Sequence, residues 1–189
     1  MALFMCNTSN VHEMKFGRPQ TVLLEADMPN GAIVTLGATQ EAKDASLDHA
    51  HAVTEGALTS VVGAFVIVAP EINAQQYRMI DGQIGKFVLE AGETYSAYML
   101  QKLDRLEYSD AYFMNAGALQ VGDKVNVQAK GTNGERFVVN TSGCMRVVSI
   151  RDLWLPVMLQ PNTDAGQGAS SPAKLMPASC KMIKIEVEK

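Results

Sequence analysis

The residues able to do chemistry are few and far apart. Three histidines, His12, His49 and His51, are the natural proton carriers, because imidazole alone titrates near neutral pH without help. His49 and His51 stand two apart, with Asp44 and Asp48 just upstream. On a strand, a His-x-His pair puts both rings on one face, as metal sites sometimes do. The segment is rich in Ala and polar residues, however, and has no third ligand at a diagnostic spacing, so a solvated loop is the better reading. Nucleophilic catalysis needs a hydroxyl or thiol beside a base and an orienting group. No GxSxG is present, and Cys144, after Ser142-Gly143, stands in a strand-like run where it reads as a buried small hydrophobe. Glu90 and Glu93 flank a turn and read as solvated. No GxGxxG follows a strand, and GxxxxGK[ST] is absent. The expectation is a chain with no catalytic residues, no cofactor and no metal.

The totals narrow the class. A chain of 189 residues suits one domain with appendages or two very small ones. Its charged fraction of 19% lies below the usual quarter or so, a weak hint of surface hidden in an assembly. The net charge of −4, with no run of Lys or Arg, argues against a nucleic-acid binder, which needs a basic stripe to meet phosphates. Cys6, Cys144 and Cys180 are odd in number, scattered and without CxxC spacing, so three reduced thiols made in a cytosol are expected. The opening MALFMCNTSNVHEMKFG lacks a basic stretch followed by an apolar core, and VVGAFVIVAP (61–70) is far short of a membrane helix. Neither a signal peptide nor membrane insertion is expected.

The elements that would carry any site are strands. Residues 84–127 hold three runs rich in Val, Phe, Tyr and Leu, broken by Ala91-Gly92-Glu93 and Val121-Gly122-Asp123. Gly beside an acidic residue suits a tight turn, because Gly takes positive φ at little cost. Ile84–Glu90 and Thr94–Leu100 therefore read as a hairpin. Pro29-Asn30-Gly31 reads as a turn before a strand over 32–36, and Val61–Ala69 as a buried strand ended by Pro70. Gln101–Tyr112 fits either a short helix or a bulged strand. Leu119–Gly131 and Glu135–Asn140 read as a hairpin over Thr132-Asn133-Gly134, with a further strand over Cys144–Asp152. At the C-terminus, Ile183, Ile185 and Val187 alternate with Lys184, Glu186 and Glu188, the period of a half-buried strand. The expected fold is mainly β: a small barrel or sandwich over 21–158 with a loop insertion at 38–58. An extended N-terminal arm over 1–20 precedes it, and a flexible loop over 159–174 leads to a C-terminal strand over 175–189.

Several of these segments resemble, in order and spacing, the head decoration (cement) proteins of tailed bacteriophages. The similar pieces are Asn30–Gly37 (NGAIVTLG), Val68-Ala69-Pro70-Glu71, Glu90-Ala91-Gly92-Glu93, Ala97-Tyr98-Met99-Leu100 and Val121-Gly122-Asp123-Lys124-Val125. The resemblance covers about residues 22–130, and leaves the longer N-terminus and the tail after 140 unassigned. It implies a non-enzymatic virion protein on the capsid surface, made in the host cytoplasm. Its partners would be the major capsid protein and further copies of itself, in a trimer or other symmetric cluster, with no nucleic acid and no membrane. Another virion component (tail, connector or head-fibre base) is an alternative. A different one is a β-barrel binding a small ligand or carbohydrate through the aromatics of 95–113. The expected interface residues are Leu3, Phe4, Met5, Val11 and Met14 of the arm, Tyr108, Tyr112 and Phe113 of the aromatic cluster, and Ile183, Ile185 and Val187 of the last strand. The arm and the last strand either pair within their own chain or reach a neighbouring subunit.

Overall fold

The computed structural model describes residues 5–40, 50–69, 88–131, 134–158 and 175–189, and the chain there is mainly β. In chain order the strands begin with β1 (Cys6–Asn10), β2 (Gln20–Leu23), β3 (Met28–Pro29), β4 (Ile33–Gln40) and β5 (Ala50–Thr54). They continue with β6 (Phe65–Val68), β7 (Val88–Leu89), β8 (Thr94–Met99) and β9 (Arg105–Ser109). The last are β10 (Lys124–Val127), β11 (Phe137–Val139), β12 (Met145–Met158) and β13 (Leu175–Val187). One helical turn, α1 (His12–Phe16), follows β1.

These strands make two bodies with one seam. Five close into a barrel in the order β2-β5-β4-β6-β8, and six form an open sheet in the order β1-β9-β13-β12-β10-β11. Every pair is antiparallel except β2 with β5. Val22, Val34, Ile67, Leu89 and Ala97 fill the barrel, while Leu106, Tyr108, Tyr112, Phe137, Met145, Ile183 and Ile185 build a core beneath the sheet. Ile33 and Val66, although on barrel strands, pack into the sheet's core. Period-2 alternation thus serves both bodies, one face of each barrel strand going inward and part of the other going to the sheet.

The seam is built on the Pro29-Asn30-Gly31 turn. The Asn30 carboxamide imitates a strand neighbour: its Nδ2 donates to Ala69 O and its Oδ1 accepts from Ala69 N, both at 3.0 Å. Its backbone carbonyl accepts from the Tyr112 hydroxyl at 2.5 Å, and the Gly31 carbonyl accepts from the Tyr108 hydroxyl at 2.8 Å. Gly31 has φ +86, and a Cβ there would stand 2.4 Å from Cys6 Sγ. Only glycine meets both demands.

Several expectations are revised. Leu89 does not pair with β8 across the Gly92 turn. It pairs with Met28 of β3, while β8 is zipped between β2 and β6. The cause is that Gly92 N donates to Leu24 O and Leu24 N to Glu93 O, which stitches the turn to the end of β2 and sends the chain into the barrel. Segment 38–58, expected as a loop, continues β4 and supplies β5, whose Ala50 and Val53 are buried. Residues 41–49 lie outside the described residues. Gln101–Tyr112 resolves as strand β9 followed by a 3-10 turn over Asp110–Tyr112. In the arm, β1 over Cys6–Asn10 joins the chain's own sheet beside β9, and residues 1–4 lie outside the described residues. The last strand likewise pairs within the chain, between β9 and β12. The expected loop over 159–174 and the start of the expected first hairpin at Ile84 lie outside the described residues.

Gly31→Ala is expected to cost well over the roughly 1 kcal/mol that left-handed backbone alone costs an L-residue. Gly63→Ala, at the same φ of +86 with nothing within 4 Å of its Cβ, is expected to cost only that backbone share. Urea unfolding of both variants measures the difference, and equal losses would show that crowding of the new Cβ against Cys6 and Tyr108 carries no weight.

Candidate interaction surface

Among the described residues, several groups with intrinsic reactivity, or the backbone beside them, are held in structure. Burial pushes the Cys144 and Cys180 thiols upward, away from thiolate. His12 N–H of the backbone donates to Asp104 Oδ1 at 2.8 Å, and His51 Nδ1 lies 3.2 Å from Gly37 O. Asp44, Asp48 and His49 lie outside the described residues, and among the described ones no three His, Cys, Asp or Glu side chains gather as a metal site. A groove of about 320 Å³ runs between Asn10–His12 and Gln101–Asp104. Asp104, its only carboxylate, is used on both oxygens, Oδ2 accepting from Gln101 N at 2.7 Å. The groove is a turn braced by these two bonds.

The surface with organised charge is the outer face of the six-stranded sheet. Alternation along β13 sends Ile183, Ile185 and Val187 to the core, and leaves Lys184 and Glu186 on the other side beside Arg105, Glu107, Arg146 and Arg151. Glu107 is clamped by Arg151 at 2.6 Å (Nε to Oε1) and 3.0 Å (Nη2 to Oε2), and Asn7 Nδ2 adds a longer bond at 3.4 Å. Glu186 takes Arg105 at 2.8 Å and Arg146 at 3.1 Å, while Glu188 takes Lys124 at 2.8 Å. The Glu107 and Glu186 side chains are only 6% and 7% exposed, whereas the three arginines are about half exposed. Each carboxylate is thus roofed by guanidinium stems whose charged ends reach water. Five cations (Arg105, Lys124, Arg146, Arg151, Lys184) stand against three carboxylates (Glu107, Glu186, Glu188), an excess of two positive charges on a chain of net −4.

No family model, curated protein or solved structure matches this chain.

Most of the expected interface residues are not at a surface. Val11, Tyr108, Tyr112, Ile183, Ile185 and Val187 are fully buried in the chain's own core, and Phe113 is 3% exposed. The rings of Tyr108 and Phe137 stand 4.8 Å apart and those of Phe113 and Phe137 4.9 Å apart. The cluster is packing in the core beneath the sheet. Met5 and Met14 are half-buried, Met14 packing against that core and Met5 bonding Ser109 through its backbone. Leu3 and Phe4 lie outside the described residues. The arginines and glutamates of the outer face went unselected because they come from β9, β12 and β13. Nothing in the sequence joins Glu107 to Arg151. The one legible signal was the Lys184, Glu186, Glu188 alternation.

A second charged pair ties the two bodies together. Arg136, 4% exposed, places Nε 2.7 Å from Glu55 Oε1 without the alignment of a hydrogen bond, and its Nη1 has no hydrogen-bond partner. Burial lowers the Arg136 pKa, against the pull of Glu55. Removing one member of a buried pair strands the other, so Glu55→Gln is expected to cost roughly 3 kcal/mol. The double variant Glu55→Gln/Arg136→Met should recover part of that loss in urea unfolding.

The outer-face carboxylates predict an acid response. Guanidinium and ammonium partners hold Glu107, Glu186 and Glu188 below the usual carboxylate value of 4.5. Their stabilisation is complete above that value and is lost as pH falls through the lower, folded values. Arg151→Ala should therefore raise the midpoint of acid unfolding followed by circular dichroism. An unchanged midpoint would mean that Arg151 leaves Glu107 unaffected.

Proposed function

We propose that this chain is a non-enzymatic structural protein of a tailed-bacteriophage virion, decorating the capsid exterior and bridging major capsid protein subunits. The observation that carries the reading is where the resembling segments fall. Asn30–Gly37, Val68 and Ala97–Met99 are far apart in sequence. Ile33–Gly37 of the first lies on β4, after the turn at Asn30-Gly31, and the others lie on β6 and β8, three consecutive neighbours in the closed barrel; Gly92 and Gly122, at φ +82 and +99, are turns as the resembling pieces require. A ligand-binding barrel is less well supported, because the aromatics it would use fill the core.

Bridging is a matter of interface area. Apolar contact contributes roughly 25 cal/mol per Å², and a stable protein interface covers on the order of 1,600 Å². The outer face of the sheet offers a broad plane for this, and its cationic excess suits a carboxylate-rich partner. Such steering acts mainly on the rate and register of docking. Purified protein is expected to sediment with heads that lack it, to saturate at a fixed ratio to the major capsid protein, and to bind more slowly as salt rises. Protein left in the supernatant at saturating heads would defeat the reading, and recovery with tails instead would assign it to another virion component.

A further inference from the structure

The charges on the outer face of the sheet are not paired evenly. Register sets Arg105, Glu186, Arg146 and Lys124 in one row across β9, β13, β12 and β10. Glu186 is shared by Arg105 and Arg146, and Glu188 by Arg146, at 3.3 Å, and Lys124, at 2.8 Å. In the neighbouring row Arg151 grips Glu107 with two nitrogens. Lys184 is the exception. Alone of the five cations on this face, it makes no ion pair among the described residues.

Its place is the middle of the face. β13 is the third strand of the six-stranded sheet, and Lys184 stands level with Glu107 of β9 on one side and Ser149 of β12 on the other. The side chain is half-buried. Beside it, between Val147 and Ser149, the register of β12 with β13 shifts, and bulges gather where a sheet re-aims a side chain next to a site. A docked partner excludes water most fully at the centre of its footprint. Covering the paired charges changes little, because each keeps its own counter-ion. Covering Lys184 strips water from an ammonium that has none, which is strongly unfavourable unless the partner brings an anion. The face therefore selects by penalty, accepting a partner with an anion opposite Lys184 and rejecting a neutral or basic one.

We infer that Lys184 is the specificity-determining residue of this face, and that its occupant is an Asp or Glu carboxylate of the protein surface that docks there. A nucleic-acid backbone is the poorer match, since it needs several uncommitted cations in a run and this face has one. The arginines frame the site: glutamates hold them in place, and they add attraction at a distance. The inference rests on the virion reading only for the identity of the partner, the major capsid protein.

Two assays keep the inference and that reading apart. In the first, Lys184→Met, Lys184→Gln, Lys184→Arg and Lys130→Met are sedimented with heads that lack the protein. Lys130, exposed between β10 and β11 and outside the paired rows, controls for the loss of one positive charge. Both neutral variants of Lys184 are expected to bind about tenfold more weakly at unchanged urea midpoints, while Lys184→Arg and Lys130→Met bind like the unaltered chain. The second assay uses no heads and measures binding of poly-L-glutamate at low salt, with the same order of variants expected. Equal head binding by the neutral Lys184 variants and the unaltered chain would overturn the inference and leave the virion reading intact. Heads that take up no form of the protein would defeat the virion reading, and polyglutamate then decides alone. A loss confined to the neutral Lys184 variants upholds the carboxylate site, whereas an equal loss in Lys130→Met, or none, overturns it.

Discussion

The whole molecule depends on satisfying the carbonyls of one buried turn. Asn30 is 5% exposed, and a buried backbone group without a partner costs about 1–3 kcal/mol. Tyr108 and Tyr112 supply the two hydroxyls, and they can do so only because β9 and the 3-10 turn after it bring both rings over the barrel. Burial pushes the Tyr108 hydroxyl well above the ordinary phenol range, which favours the protonated, donating form. Barrel and sheet are consequently not two units in loose contact. Any separation would break both hydroxyl-to-carbonyl bonds and open the apolar packing around Ile33 and Val66.

A second consequence follows for the sheet. Held from beneath by the tyrosine cluster, it can carry cross-strand ion pairs on its opposite face. Exposed pairs contribute little individually, but Glu107 and Glu186 are deeply set and would be poorly placed without their arginines. That face is locally cationic on an acidic chain.

Much of the local structure was legible in the sequence. Gly31, Gly92 and Gly122 all have positive φ where a turn was expected, the β10–β11 hairpin forms between the two runs that flank 132–134, and Ile183, Ile185 and Val187 take the buried phase of their alternation. Such features are set by φ preferences and by period-2 hydrophobicity, which act within a few residues. What the sequence could not supply was the neighbour of each strand. Val88–Leu89 looked bound to β8 because only a short turn separates them, yet hydrogen bonds from Leu24, more than sixty positions earlier, redirected the chain. The alternation of β13 showed that one face is buried and left open whether its own chain or another covers it. Residues 50–54 looked too polar for a barrel, and became a strand because Ala50 and Val53 fit between β2 and β4. The aromatic cluster, chosen as surface for its density, went inside because two hydroxyls were needed at a turn eighty residues away. The sequence by itself determined where the chain turns and which positions want burial. Only the tertiary structure decided what covers them, since that choice rests on contacts between segments that share no local pattern.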